Sequence, residues 1–205
     1  MSVAVATYAD QHGRYLPPFE RGPDGRPWHS WRVLLLPYLS SDSLHKGYDF
    51  SEPWDGPNNI KLAKKIPSFY AFPGDVREDG VTPYLAIVGD HTIWKEGGLP
   101  MNAVAGRLDA TLLVVENRGA EVLWTEPRDL PFDDFDFKIG SPRGISSLYV
   151  DPAIVTAAGT IRQIPQGLSA DLLRSLIRID LPIGDAKYLD ELLDGRLRPR
   201  KPASR

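Results

Sequence analysis

Near the N-terminus, Val5, Tyr8, Ala9 and His12 fall at i, i+3, i+4 and i+7, the stripe of a short amphipathic helix that Gly13 ends. The stretch Pro17 to Pro27 is dense in proline and glycine and reads as loop, with Pro-Asp-Gly as its turn. Ser30 is placed to cap a helical segment Trp31 to Leu36, and Pro37 sits at its end. Asn58 or Asn59 would cap a second helix, Ile60 to Ile66, burying Ile60, Ala63 and Ile66.

Further along, the period changes from helix to strand. Tyr84 to Val88, Thr111 to Val115 and Glu121 to Trp124 are short β-branched or aromatic runs, and Asn117 to Ala120 reads as a hairpin turn joining the last two. Ser147 to Val150, Ile154 to Thr156 and Thr160 to Ile164 are expected as further strands. Ser169 caps a helix whose Leu172, Leu173, Leu176 and Ile177 share one face, and Pro182 closes it. Tyr188 to Leu193 would add a helical turn or two. Helices first and strands later predict an α+β fold, with helices to one side of an antiparallel sheet. The expected organisation is one globular domain over residues 1–194 and a frayed basic tail over 195–205, which holds five basic residues and no acid.

Composition narrows the chemistry. An apolar fraction of 42% supports a real core. The absence of cysteine removes disulfides, thiolate zinc sites and cysteine nucleophiles. A net charge of -3 gives no reason to expect nucleic acid as partner. No run approaches the roughly 20 apolar residues of a membrane helix, and the start lacks the pattern of a signal peptide, so no membrane insertion is expected of this chain.

Catalytic patterns are weak. The histidines His12, His29, His45 and His91 form no zinc-hydrolase spacing, and Gly89-Asp90-His91 reads as a loop after a strand rather than part of a triad. Gly140 to Gly144 lacks the lysine and hydroxyl of a phosphate loop. Glu126, Asp133, Asp134 and Asp136 lie near aromatics as a glycosidase would need, but the simpler account is an acidic loop whose phenylalanines enter the core. Asp134 and Asp136 are the calcium candidates, without the spacing of an EF-hand. No other cofactor is expected.

Trp28, His29, Trp31 and Arg32 form the densest aromatic cluster; with Trp54 and Asp55 they make the candidate interaction surface. The competing account has the two tryptophans anchoring a core helix. A second function class, a carbohydrate-binding or hydrolytic domain, would need Trp28, Trp31, Trp54, Trp94 and Trp124 to converge on a cleft with paired carboxylates.

Several segments carry a family resemblance: YADQHGRYLPP (8–18), WHSWRVLLLPYL (28–39), EPWDGPNN (52–59), PSFYAFP (67–73), PYLAIVG (83–89), DATLLVVE (109–116), WTEPRDL (124–130) and AAGTIRQI (157–164). In that order they resemble a planctomycete-type bacterial family with a prepilin-like N-terminal cleavage and methylation motif, related to type II secretion pseudopilins. The resemblance implies a pilin-like head: the end of an N-terminal helix packed on an antiparallel sheet, no catalytic residues, other proteins (pilin-like or secretion components) as partners, and the inner membrane or periplasm as location. By that resemblance, the sequence is expected to start almost where the family's apolar helix would end. Phe72-Pro73 stands where the family often has Cys-Pro, and Ala158 where it often has an acidic residue.

Overall fold

The computed structural model describes residues 1–39, 42–74, 79–182 and 193. Helix α1 spans Ser2–His12 and carries alanine, the strongest helix former, at Ala4, Ala6 and Ala9. Gly13 ends it at φ 67, the left-handed cap that glycine adopts without strain. Ala4, Val5 and Ala9 are buried. The expected stripe is half right: Tyr8 is half-buried, and His12 is exposed, stacked on Tyr8 and bonded to the Tyr38 hydroxyl at 2.9 Å.

The expected loop over residues 17–27 is instead a hairpin. Strand β1 (Phe19–Arg21) pairs antiparallel with β2 (Pro27–Ser30), and Pro-Asp-Gly makes the turn. Ser30 then caps α2 (Trp31–Leu34), its hydroxyl accepting the Val33 N–H at 3.4 Å. Pro37 does not stop this segment but opens the way into a 3-10 turn, Leu36–Tyr38. Helices α3 (Asp42–Gly47) and α4 (Asn59–Ala63) follow, the first unforeseen and the second shorter than expected. In α4, Ala63 is buried while Ile60 and the nearby Ile66 are only half-buried.

The central sheet runs β10-β9-β6-β4, antiparallel throughout, from strands β4 (Tyr84–Leu85), β6 (Leu112–Glu116), β9 (Ala153–Thr156) and β10 (Ile161–Gln163). All of β6 is buried, which explains its unbroken apolar run. Tyr84, Val114 and Val155 face one core cluster with Ala4, Val5 and Ala9 of α1 and Trp31 of α2. Leu85, Val115 and Ile154 face the other, with Leu173, Leu176 and Ile177 of α5 (Ala170–Ile177). Helices therefore cover both faces of the sheet rather than one. Ser169 caps α5 as expected, accepting the Leu172 N–H at 3.3 Å.

Three expectations in the strand region fail, two of them because of distant partners. The run Tyr84–Val88 breaks at Ala86, and β5 (Ile87–Val88) leaves to pair in parallel with β8 (Leu130–Pro131). Residues 117–120 do not join β6 to its neighbour. The Asn117 side chain instead accepts the Gly119 and Ala120 N–H groups and donates to the Pro142 and Gly144 carbonyls, turning the chain away. Strand β7 (Val122–Leu123) thus pairs with β3 (Val81–Thr82). Ser147 to Val150 is no strand: Leu148, Tyr149 and Val150 are exposed, Tyr149 lying against Phe72. The turn expected at 188–193 and the tail at 195–205 lie outside the described residues, apart from Leu193, which is buried in the α5 cluster.

Candidate functional site

The segment Trp28 to Arg32 splits between interior and surface. Trp31 and Arg32 are fully buried, so neither belongs to an interaction surface. Arg32 forms an ion pair with Asp129 at 2.8 Å. Its remaining donors go to main-chain carbonyls: Nε to Trp124 at 3.1 Å, Nη1 to Tyr84 at 3.3 Å, and Nη2 to Glu126 and Arg128 at 3.0 Å each. A guanidinium has five N–H donors, and here all are used. Asp129 accepts in addition the Ala86 N–H at 2.8 Å and the Trp31 indole N–H at 3.2 Å. Burial pushes the Asp129 carboxyl up, while Arg32 and these donors pull it back. This network ties α2 to β4 and to the 124–130 loop, and it is what interrupts the strand at Ala86.

Trp28, Trp54 and Asp55 stay at the surface, the tryptophans half-buried and Asp55 exposed. The Trp54 N–H donates to the Trp28 carbonyl at 3.1 Å. His29 lies just beneath, with its Nδ1 3.0 Å from the Tyr48 hydroxyl and its ring against Trp28, Tyr48 and Phe50. Burial lowers its pKa, and a bond toward the Phe50 main chain opposes this. The folded protein thus holds fewer protons than the unfolded chain between the depressed value and about 6.5. The contribution is complete above that unfolded value and is lost as pH falls below it. We expect urea unfolding at pH 7.5 and pH 5 to show a larger loss of stability for the wild type than for His29→Gln; equal losses would contradict the assignment.

The EPWDGPNN segment is a structural knot. The Glu52 carboxylate accepts the Asn58 and Asn59 N–H groups at 2.8 and 2.7 Å, and so caps α4 in place of the asparagine side chains. Asn59 is fully buried; its amide accepts the Asp49 N–H at 2.9 Å and donates to the Asp49 and Pro53 carbonyls at 2.8 and 3.1 Å.

The remaining candidates do not assemble. Asp134 is exposed and Asp136 half-buried, and among the described residues no three acidic or histidine side chains converge as a metal site. In the same loop Phe137 meets both Phe132 and Phe135 edge to face, and Phe135 is in the core. Gly89 to His91 is a loop after β5; His91 faces Asp180 at 3.2 Å, whose carboxyl Arg178 holds down to about 2. Trp94 and Trp124 are buried with Trp31, so the five tryptophans line no common cleft.

One further feature is unmarked in the sequence, a groove of about 320 Å³ on the α1 face of the sheet. Met1, Phe69, Tyr84, Val114 and Val155 line it together with Glu116, a carboxylate only 4% exposed. Glu116 ends an apolar run and has no sequence partner to mark it.

A family model described as "Protein of unknown function (DUF1559)" matches residues 1–124. The chain belongs to the DUF1559 family. No curated protein and no solved structure matches it. The part matched to DUF1559 contains Arg32, Asn59 and Glu116 but stops short of Asp129, the acid that Arg32 requires, and of strands β9 and β10. The DUF1559 segment therefore completes its ion pair and its sheet with residues beyond the matched stretch. Among the described residues, no helix is long and apolar enough to cross a membrane.

Proposed function

We propose that this DUF1559 chain is a pilin-like head, acting as a structural or protein-interaction module rather than an enzyme, with pilin-like or secretion components as its partners. The observation that carries this reading is the seating of α1. Its Ala4, Val5 and Ala9 share a core with one face of a four-stranded antiparallel sheet, and its opposite side, Val3, Ala6, Thr7 and Asp10, is exposed. An N-terminal helix laid across an antiparallel sheet, with its outer side open, is the arrangement the resemblance implies. The reading is also supported by the polar groups of the interior: Arg32, Asp129 and Asn59 spend their hydrogen bonds on holding the main chain.

The test places a pseudopilin apolar helix ahead of Ser2, with a photo-crosslinking residue in place of Val3, in a bacterium that has a type II secretion system. Crosslinks to pilin-like subunits are expected. If the fusion reached the membrane without such crosslinks, while a pseudopilin head in the same fusion gave them, the proposal would fail.

A further inference from the structure

The groove on the α1 face combines an apolar lining with one buried acid. Met1, Phe69, Tyr84, Val114 and Val155 line its sides, and its volume of about 320 Å³ lies at the lower end of the range of small-ligand pockets. Glu116, 4% exposed, lines the same space. Its Oε2 accepts the Ala153 N–H at 3.0 Å, and among the described residues no cation pairs with it. A buried carboxylate without a counter-charge is an unusual expense for a fold, since such groups are ordinarily paired.

We propose that this groove binds a small primary aliphatic amine, its ammonium on Glu116 and its hydrocarbon body along Val114 and Val155. The chemistry selects among ligand classes. A neutral apolar molecule would dehydrate the carboxylate further and give it no partner. A guanidinium makes its best bond with both carboxylate oxygens, and one of these is already engaged by Ala153. A divalent metal would want several oxygen ligands, and Glu116 is the one acid in the lining. An ammonium needs a single acceptor, and the aromatic residues Tyr84 and Phe69, a class of ring that attracts cations, line the same space. This goes beyond the interaction-module reading and does not depend on it.

The probe is n-hexylammonium chloride, titrated into the whole chain and followed by amide chemical shifts. Saturable shifts at Val114 and Ala153 are expected. Glu116→Gln, which keeps an oxygen for the Ala153 N–H, should weaken binding at least tenfold, and hexan-1-ol should bind the wild type at least tenfold more weakly than the amine. Ala71→Trp fills the groove and leaves Glu116 in place. It should abolish binding, and it provides the test if the Gln variant does not fold. Absence of saturable shifts, equal binding by Glu116→Gln, unimpaired binding by Ala71→Trp, or equal binding of hexanol would each overturn the proposal.

Discussion

Replacing Asp129 with alanine should lower the unfolding free energy by about 3–5 kcal/mol, the usual loss when one partner of a buried ion pair is removed. The cause is specific. Arg32 is fully buried, and without Asp129 its charge keeps four main-chain carbonyls but no anion. The Ala86 N–H and the Trp31 indole N–H also lose their acceptor. For a chain of this length such a loss lowers the melting temperature by roughly 10 °C. Thermal and urea unfolding measure it. Arg32→Lys should fail to rescue the site, because an ammonium has three donors and cannot reach carbonyls set out for a planar fork. A loss under about 1 kcal/mol for Asp129→Ala would show that the pair is not the fastener described.

Trp31→Ala comes next, with an expected loss of about 3–5 kcal/mol, typical for a large aromatic deleted from a core. Trp31 lies between Trp94 at 4.9 Å and Tyr70 at 6.1 Å, with the Arg32 guanidinium 4.8 Å from its ring. The deletion opens a cavity between α2 and the sheet. It also distinguishes two accounts of the same tryptophan. A ligand platform at the surface could be truncated with little effect on unfolding, whereas a core residue could not. Because Trp31 touches Asp129, its effect should not add to that of Asp129→Ala.

What the sequence made legible was local. The caps Gly13, Ser30 and Ser169 and the apolar face of α5 depend on neighbours a few residues away, and the chain follows them. What it concealed was distant pairing. The run Tyr84–Val88 looks like one strand because nothing within it shows that Asp129 will take the Ala86 N–H. The residues 117–120 look like a hairpin turn because Pro142 and Gly144, which hold the Asn117 amide, lie far along the chain. The hairpin of β1 and β2 was hidden by Gly22, Pro23 and Gly25, which lie in its turn, and by Pro27, which opens its second strand.

The candidate surface divided in the same way. Trp28, Trp54 and Asp55 kept some exposure, but Trp31 and Arg32 went inside, since a helix opening on tryptophan and followed by Val33, Leu34 and Leu35 turns that end to the core. Arginine in such a place needs an acid, and its acid lies 97 residues away. Glu116 was equally invisible. A glutamate closing a strand is ordinarily solvated, and its burial follows from Ala153 and the groove that the sheet creates.

Arg32 and Asp129 are spent on internal fastening, and a double-mutant cycle tests this most directly. Arg32→Met, Asp129→Leu and the pair of them together would be compared with the wild type by urea unfolding. Each single variant should lose about 3–5 kcal/mol by leaving one charge buried alone. The double variant removes both charges and should recover most of that loss. Additive losses, or single variants as stable as the wild type, would contradict the claim.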